Sequence, residues 1–574
     1  MKKKPNLSAQ RITPVQKHTR AYYFAAALVI IVAAVFRFYH LASVPFGFHN
    51  DEVMNGYVGR FILQNGVDLY GNKWPVLYFD NFGDYPNVIP MYISGATTYL
   101  FGVNEFAVRF PIALLGTATV GLVMWLCNTL FQSRKASLIA GFALAVMPWH
   151  VVLSRATSEG ILATFFYLLG IIFIIIALAR KKIPLLLVAV ASLLFTYFLY
   201  PGFRVFVPLS LLPLFLLASN RNWKKLLLLI SALFFCITFM ISQTTWGKGR
   251  FNQTSLFTFN GTIVGRSTNL SIGLGSGKIL QARVFYNRYV LAAREFLRQY
   301  ATYFSPDFLA GTGGKPERYK VFEHGELYWG FILMIIAAVI KHFISPTKES
   351  PFAILFKPNR GKYFLWFMWI LAVAAVPAAL TLEDVPNVHR TLVSSVFWAV
   401  LFAFCWQLLF ASSKVWSKAL SILIVLVLIV ESVYFTQDYF SLHSLAATPY
   451  RSDEQHQLAY WLKDHRQEYP TVYLPYAQTI DLHYLFVTQN FSPELVGHFS
   501  KGMDLDQVDN IQFIEQSENC PSQLFEPESL SGNIIVDRSE CPLLPSFQSV
   551  RIIHHLDGTA GYTIKAASSF ANSQ

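Results

Sequence analysis

Long apolar runs recur along the 574-residue chain and limit its fold more than any other feature. A helix needs about 20 predominantly apolar residues to cross the hydrocarbon core of a bilayer. The chain is 54% hydrophobic and only 14% charged, whereas soluble domains carry about 25% charged residues. The sequence therefore predicts a mainly α-helical, polytopic membrane protein, and it excludes a soluble enzyme, a disordered chain and a fibrous protein. Eleven spans are predicted, at residues 21–40, 107–131, 136–153, 161–179, 184–200, 205–218, 226–242, 326–340, 363–380, 391–411 and 418–435.

The distribution of positive charge predicts the orientation. The net charge is +13, but Lys and Arg lie between apolar runs, so nucleic-acid binding is excluded. They cluster before the first span and in every second connection, which the positive-inside rule assigns to the cytoplasm. We therefore expect a cytoplasmic basic N-terminus (1–20), a transmembrane region (21–436) with long outer loops at 41–106 and 243–325, and an extracytoplasmic domain (437–574).

The segment after the last span has the polar content of a soluble domain. Its periodicity predicts a helix at 453–467 and short strands at 471–474, 533–536, 549–553 and 561–564, and hence a small α/β domain. Cys520 and Cys541 both lie in it. A disulfide between them would suit an oxidising compartment, although two unpaired cysteines are an equal alternative.

Adjacent acids follow the first span, in the stretch FHNDEV that contains Asp51 and Glu52. On a helix, neighbouring side chains point about 100° apart, so one carboxylate can act as a base while the other binds or caps. The alternative is a helix start, with Asn50 or Asp51 as the N-cap. Further along, Asp80 and Asp84 flank an aromatic turn before a short helix at 88–101. They are candidates for substrate contacts or, equally, for a turn and a cap.

Cationic side chains lie at the outer ends of several predicted spans. Arg155 follows the third span and could bind a lipid phosphate or extend to the interface. Arg204 lies in the tight turn before the sixth span. His389 and Arg390 lie with two acids in the turn 381–390, where an internal salt-bridge cluster is the alternative. If these groups converge with the acids in one outer cavity, they would supply a base for a hydroxyl and cations for a departing phosphate.

The outer loop 243–325 carries eleven Lys or Arg and four acids. Residues 279–304 have helical periodicity, with aromatic residues on one side and arginines on the other. We expect one in-plane helix whose aromatic face contacts lipid and whose cationic face contacts headgroups. The stretch GTGGKPERYK (311–320) is expected to form a flexible loop or lid.

Two longer motifs follow the acid pair in a specific order. They are FGVNEFAVRFPIALLGTATVGLVMWL (101–126) and FALAVMPWHVVLSRATSEGILATFFYLLG (142–170). In this order and spacing, the first 200 residues or so resemble the branch of the C-type glycosyltransferases that contains the protein O-mannosyltransferases and the lipid A aminoarabinose transferases.

The resemblance implies a polyprenyl-phosphate-linked sugar donor with its lipid chain in a groove between spans. Asp51 would be the catalytic base, and Glu52 would position the acceptor or the first-loop helix. Arg155 would contact the phosphate or hold the first loop, and His389 and Arg390 loosely match a basic pair before a late span. At the position of residues 84–87 (DYPN) of this chain, relatives have a double proline or a basic residue before a proline. Arg204 or Arg390 would then take over the phosphate contact.

The expected function is sugar transfer to an acceptor hydroxyl of a protein, lipid or glycan, outside the cytoplasm at a bacterial plasma (inner) membrane. No metal motif is present and no cofactor is expected, although the acidic pair could recruit Mg²⁺ or Mn²⁺. A transporter or flippase of lipid-linked sugars is one alternative, but internal repeats and midplane charges are not evident. A non-catalytic membrane scaffold is another, and it leaves the acid cluster unexplained.

Overall fold

A computed structural model describes residues 19–80, 85–258, 261–344, 360–412, 414–477, 479–499, 505–514, 520–530 and 532–568. Nearly all of the predicted N-terminal segment 1–20, and Asp84, lie outside the described residues. The described α-helices, α1 to α23 in chain order, are Thr19–Phe38, Asn50–Asn65, Val88–Phe101, Glu105–Phe131, Arg134–Val146, Pro148–Leu153, Glu159–Arg180, Ile183–Phe195, Phe203–Leu211, Arg221–Ser242, Thr245–Thr254, Gly261–Leu274, Ile279–Phe285, Arg288–Thr302, Pro306–Ala310, Trp329–Ile344, Arg360–Val373, Val376–Ala379, Val393–Phe410, Val415–Ser441, His443–Ala447, Asp453–His465 and Ile480–Thr488.

Apolar helices form most of the chain, which is a multi-pass membrane protein. Within the described ranges, six helices are long and apolar enough to cross a bilayer, namely Arg20–Phe38, Glu105–Phe131, Glu159–Arg180, Arg221–Ser242, Val393–Phe410 and Val415–Ser441. Four shorter apolar segments, Ile183–Phe198, Phe203–Leu217, Trp329–Lys341 and Phe364–Ala379, match four further predicted spans. The remaining prediction, 136–153, divides into α5 and α6 at Pro148, because proline cannot donate the hydrogen bond that would continue the helix.

The first outer loop contains two helices, α2 and α3, that cross at very short range. A Cβ atom on Gly59 would lie 1.9 Å from the Met91 carbonyl oxygen, and one on Gly95 would lie 2.3 Å from the carbonyl carbon of Gly59. The two backbones can approach this closely only because both positions lack a side chain. This contact fixes α2, which begins with the predicted acid pair, against α3.

The C-terminal segment contains a mixed six-stranded sheet in the order β2-β3-β1-β4-β6-β5. Strand β1 pairs in parallel with β3 and β4, and the other neighbours are antiparallel. Cys520 and Cys541 form a disulfide. The sequence predicted α22 and four strands in outline, but it missed α23 and two strands. The strands, β1 to β6, are Val472–Pro475, Gln507–Val508, Ile511–Ile514, Ile534–Arg538, Phe547–His554 and Ala560–Ala567.

The sheet and the first outer loop share one hydrophobic core. Phe48, Val53 and Tyr57 from the start of α2 pack in the same cluster as Leu458 of α22 and Phe486 of α23. Tyr57 donates a hydrogen bond to the Asn490 carbonyl oxygen at 2.8 Å. The C-terminal segment therefore packs on α2, and a Cβ atom on Gly56 would contact both Val108 of the membrane helix α4 and Phe486 of α23.

The predicted single helix at 279–304 is wrong. It divides into α13 and α14, because Asn287 caps a new helix by accepting hydrogen bonds from the Tyr289 and Val290 amides. For two residues on the predicted lipid-facing side, the prediction is also wrong. Ala292 is buried in a small cluster of its own, and Tyr303 is buried in the helix bundle.

Candidate active site

A cavity of about 150 Å³ opens between the first outer loop, the ends of several helices and the loop before α16. Three sequence-predicted residues, Asp51, His389 and Arg390, line it together. Glu52, Arg155, Arg204 and Asp80 do not line it. The full lining is Asp51, Met54, Pro86, Asn87, Glu159, Leu199, Tyr200, Pro201, Pro316, Arg318, Glu383, Asp384, Asn387, His389 and Arg390.

Asp51 lies in the first turn of α2, which His49 caps. The His49 ring Nδ1 accepts a hydrogen bond from the Asp51 amide at 3.1 Å, and the Glu52 carboxylate accepts one from the His49 amide at 3.1 Å. The N-cap is therefore His49, which corrects the alternative that Asn50 or Asp51 caps the helix. This reciprocal arrangement fixes the first turn and directs the two acids to different sides of the helix.

Glu52 points into the protein and is only 2% exposed. Its carboxylate accepts from Arg109 Nε at 2.9 Å and Arg109 Nη2 at 3.0 Å, and from Arg451 Nη2 at 2.7 Å. Burial alone would raise the pKa of Glu52, but the two guanidinium groups hold it at about 2. Glu52 is therefore an ionised structural group, consistent with the predicted role of positioning the first-loop helix.

The two arginines that hold Glu52 also bind the turn before α2. Arg109 donates to the carbonyl oxygens of Leu41, Ala42, Pro45 and Gly47. Arg451 donates to the Phe46 carbonyl oxygen at 3.0 Å. Because Arg109 lies in the second turn of the membrane helix α4 and Arg451 precedes α22, this cluster joins three distant parts of the chain next to Asp51.

Asp51 faces the cavity, and its side chain is 46% exposed. Its Oδ2 lies 3.5 Å from Arg318 Nη2 and 3.4 Å from His49 Nδ1. Burial opposes the charge on Arg318, but Tyr319 and Asp51 outweigh it and raise the Arg318 pKa. Burial and the Arg318 charge lower the pKa of His49, so His49 is neutral and Arg318 supplies the positive charge beside Asp51.

The segment that carries Arg318 is tied to the turn 381–390. The Lys315 amide donates to the Pro386 carbonyl oxygen at 2.7 Å, and the Val388 amide donates to the Lys315 carbonyl oxygen at 2.9 Å. The predicted flexible loop 311–320 is thus attached on one side to the same turn that supplies His389 and Arg390.

His389 and Arg390 also line the cavity, and each lies beside a carboxylate. His389 Nε2 lies 3.7 Å from Glu159 Oε2. Arg390 donates to Glu383 Oε2 at 2.5 Å and to Thr381 Oγ1 at 2.6 Å. Of the predicted salt-bridge cluster, the Arg390–Glu383 pair is present, whereas the carboxylate beside His389 is that of Glu159, outside the turn. All four residues of the predicted cluster line the cavity.

Arg155 is fully buried beside the cavity rather than in it. It donates to the carbonyl oxygens of Phe36 at 2.9 Å, Tyr39 at 2.6 Å and Val44 at 2.8 Å. Of the two roles that the resemblance implies, these contacts fit holding the first loop.

Arg204 is buried behind the cavity wall. Its Nη2 donates to Asn87 Oδ1 at 2.6 Å, and its guanidinium lies 3.8 Å from the Trp246 ring centroid. Among the described residues, no carboxylate forms a salt bridge with it. Asn87 itself lines the cavity, so the Arg204 charge is one side chain away from it.

The two remaining acid candidates are not placed in the site. Asp80 is half-buried and is not a lining residue, and Asp84 lies outside the described part of the chain.

Four carboxylates and two guanidinium groups line the cavity. The carboxylates belong to Asp51, Glu159, Glu383 and Asp384, and the guanidinium groups to Arg318 and Arg390. Such a site can accept a proton at Asp51, and it offers cations on two walls for an anionic group.

Sequence reasoning gave no role to three residues of this arrangement, namely Arg318, Arg109 and Arg451, and it interpreted Glu159 as an outer-edge carboxylate with a structural role. A usable signal existed for Arg318, because an arginine next to tyrosine in a Gly/Pro-rich outer loop is not explained by the charge bias of short loops. Arg109 was visible as a cation inside the predicted span 107–131, near its outer end, where charge is costly. Nothing local distinguishes Arg451 from an ordinary surface arginine.

Comparison with known proteins confirms part of the expected resemblance. Residues 84–246 match the family described as dolichyl-phosphate-mannose-protein mannosyltransferase. The chain is 29% identical over 150 residues to "Putative mannosyltransferase YkcB" of Bacillus subtilis (strain 168). That alignment covers 25% of this chain and 20% of the relative. The similarity to the protein O-mannosyltransferase branch is thus established for the segment that contains Asn87, Arg155 and Arg204.

Solved structures resemble the chain over most of its length. The archaeal oligosaccharyltransferase AglB from Archaeoglobus fulgidus, in complex with an inhibitory peptide and a dolichol-phosphate, gives a TM-score of 0.49 at 12% identity, covering 91% of this chain and 70% of AglB. ArnT from Cupriavidus metallidurans bound to undecaprenyl phosphate also gives 0.49 at 12% identity, covering 95% of this chain and 98% of ArnT.

Proposed function

We propose that this protein is a membrane glycosyltransferase that moves a sugar from a polyprenyl-phosphate donor to an acceptor hydroxyl, with Asp51 as the general base. The observation that carries the proposal is the placement of the half-exposed Asp51 carboxylate in a cavity with Arg318, His389 and Arg390. These residues come from three separate loops. The family match of residues 84–246 supports the choice of sugar transfer.

The proposed reaction is a single displacement at the anomeric carbon. Asp51 accepts the proton of the acceptor hydroxyl while that oxygen forms a bond to the anomeric carbon. The bond from that carbon to the phosphate oxygen breaks, the configuration inverts, and polyprenyl phosphate leaves with the electron pair. General-base assistance of this kind contributes about 10²–10⁴-fold.

Fixed cations stabilise the departing phosphate in this proposal. Arg318 and Arg390 line the cavity directly, and Arg204 adds its charge through Asn87. Preorganised positive groups are effective where water is excluded. Arg204 and Arg390 would thus replace the basic residue that relatives have before the proline at the start of α3. In this proposal Arg318 supplies the positive charge beside Asp51, and no step is assigned to a metal ion.

An apolar groove between α16, α17 and α19 is the proposed site for the lipid chain. It is lined by Phe304, Ile332, Ile335, Ile336, Met368, Leu371, Ala372, Trp398 and Leu401. Tyr303, next to Phe304, accepts a hydrogen bond from the Asn387 amide at 2.9 Å, and Asn387 lines the cavity. A prenyl chain in this groove would therefore end at the wall that carries Arg390.

The proposed topology has eleven spans, with the cavity and residues 437–574 outside the cytoplasm. It is supported by the helix found at each predicted apolar segment and by the basic residues in alternate connections. The expected location is a bacterial plasma (inner) membrane, and the acceptor is a protein, lipid or glycan.

The decisive experiment measures transfer in sealed vesicles of known orientation, with a panel of polyprenyl-phosphate sugars, a membrane-impermeant acceptor and a chelator of divalent cations. We expect transfer only when the cavity side faces the added acceptor. Asp51→Asn should lower transfer by about 10²–10⁴-fold while donor binding is retained. Asp464→Asn, which changes an exposed acid of α22, is the matched control and should transfer normally.

Other outcomes would reject specific parts of the proposal. Undiminished transfer by Asp51→Asn would exclude Asp51 as the base. Loss of transfer with the chelator would show that transfer requires a divalent cation. Donor movement across the bilayer without transfer would favour a flippase, and absence of donor binding would favour a scaffold.

A further inference from the structure

Residues 261–302, here named the basic amphipathic segment, form α12, α13 and α14 next to the cavity side of the bundle. The segment contains six basic residues and one acid, Glu295. All six basic side chains are exposed, and they belong to Arg266, Lys278, Arg283, Arg288, Arg294 and Arg298. This concentration of one charge on exposed helices is complementary to an anionic surface.

The same segment exposes large apolar side chains. Ile272 is 72% exposed, Leu280 is 76% exposed and Leu297 is 63% exposed, and Ile279, Phe285 and Tyr289 are each more than half exposed. Large apolar side chains exposed at this density in one segment indicate a membrane or protein contact. Apolar residues with basic neighbours are typical of helices that lie in the lipid interface.

The exposed side of α14 is divided into two strips. At 3.6 residues per turn, Tyr289, Ala293 and Leu297 fall on one strip, and Arg294 and Arg298 fall on the adjacent one. All five are exposed, whereas Leu291, Ala292 and Gln299 face the protein. A helix with this division can place its apolar strip among acyl chains and its arginines at headgroup level.

The segment is held at both ends, by a membrane helix and by the turn that supplies His389 and Arg390 to the cavity. The Tyr300 hydroxyl donates to the Ala372 carbonyl oxygen of the membrane helix α17 at 2.8 Å. Ile263 and Leu291 pack with Leu256 against Leu382, which belongs to the turn 381–390 that supplies His389 and Arg390. The segment therefore packs against the turn that supplies one wall of the cavity.

We propose that the basic amphipathic segment binds anionic phospholipid headgroups in the leaflet on the cavity side. The arginines pair with lipid phosphates and the apolar strip enters the acyl region. The apolar strip favours lipid over a soluble acidic polymer, which would leave Leu280 and Leu297 in water. This binding does not depend on the protein being a transferase.

The test uses the full chain in nanodiscs of phosphatidylcholine, with or without phosphatidylglycerol. A nitroxide is attached to Leu280→Cys in a Cys236→Ser background, because Cys236 is an exposed free cysteine whereas Cys127 and Cys405 are buried. The collision rate of the nitroxide with oxygen, compared with its collision rate with a water-soluble nickel chelate, reports whether position 280 is in lipid. We expect phosphatidylglycerol to move the label into the lipid phase, and high salt to weaken this shift.

Charge removal distinguishes specific headgroup binding from simple apolar attachment. Replacing Arg283, Arg288, Arg294 and Arg298 by Gln should abolish the lipid-dependent shift and reduce co-purified phosphatidylglycerol at least about tenfold. The matched control replaces Arg221, Lys224 and Lys225, at the N-terminal end of α10, by Gln. In this control, phosphatidylglycerol should still move the label at position 280 into the lipid phase.

Two results would overturn the proposal. One is a label at position 280 that stays in water in both lipid compositions. The other is a shift that persists, with phosphatidylglycerol retained, in a folded variant without the four arginines.

Discussion

Replacing Glu52 by Gln should loosen the first outer loop and the C-terminal segment together. The substitution keeps the shape of the side chain but removes the charge that compensates Arg109 and Arg451, which are 0% and 1% exposed. Three contacts of 2.7–3.0 Å are affected. Arg109 and Arg451 would then be two buried cations that have lost the carboxylate with which both form salt bridges.

The size of the effect follows from two independent routes. The Glu52 pKa lies at about 2 instead of 4.5, and each pKa unit corresponds to about 1.36 kcal/mol, so the ionised carboxylate stabilises the folded state by about 3 kcal/mol. Removing one partner of a buried ion pair costs about 3–5 kcal/mol. Because Glu52 is buried, solvent screening does not reduce these figures. The folded-state pKa is depressed, so this stabilisation is present above pH 4.5 and is lost only as the pH falls through about 2.

Hydrogen exchange measured on the protein in nanodiscs reports this free energy locally. We expect the amides of α2 and α22 in Glu52→Gln to exchange about 100-fold faster, since 1.4 kcal/mol corresponds to a factor of ten. The control is Glu383→Gln, which removes the half-exposed partner of Arg390 and should cost at most about 1 kcal/mol. Adding Arg451→Met to Glu52→Gln should recover part of the loss, because one uncompensated charge is removed.

Equal exchange in Glu52→Gln and the wild-type protein would refute the proposed role of this cluster. A loss no larger than that of Glu383→Gln would do the same. A loss confined to α2, with α22 unaffected, would show that Arg451 does not couple the two segments.

Two further predictions concern the cavity and the C-terminal segment. Arg318→Gln should lower kcat for sugar transfer by about 10²–10³-fold, because it removes the cation beside Asp51. Lys320→Gln, which changes a neighbouring cation of the same segment, is the control and should have little effect. Steady-state kinetics that show an equal loss of kcat in both variants would contradict this role of Arg318. Burial, with the adjacent Asp453 charge, raises the pKa of Glu454 to about 7, so its proton stabilises the folded state fully below pH 4.5, and this stabilisation is lost as the pH rises through about 7. Glu454→Gln should therefore flatten the fall in stability between pH 5 and 7 in thermal unfolding, and an unchanged pH profile would exclude this assignment.

Local sequence features predicted individual elements well. Helix α3 has the predicted bounds, 88–101, because a proline-led apolar run ends at Gly102. The eleven apolar segments each contain a helix, since backbone groups in a bilayer must be satisfied within the segment. Periodicity failed at residue 286, where the cap formed by Asn287 starts a new helix within a continuous amphipathic pattern.

The candidate site was predictable only in part. Asp51, His389 and Arg390 were identified from charged residues at the ends of spans, where charge is otherwise costly. The contact between Asp51 and Arg318 joins residues 267 positions apart, and the Glu52–Arg451 contact joins residues 399 apart. Neither pair has a local pattern that links its members.

The sequence by itself determined that this chain is a helical membrane protein with a small α/β segment at its C-terminal end. Hydrophobicity and periodicity can be read within about twenty consecutive residues, which is the length of one span. Only the tertiary structure decided which acid faces the cavity and which is buried. Asp51 and Glu52 are adjacent in the chain and chemically similar. They differ because the helix cap at His49 turns one carboxylate toward Arg318 and open space, and the other toward two arginines delivered from distant segments.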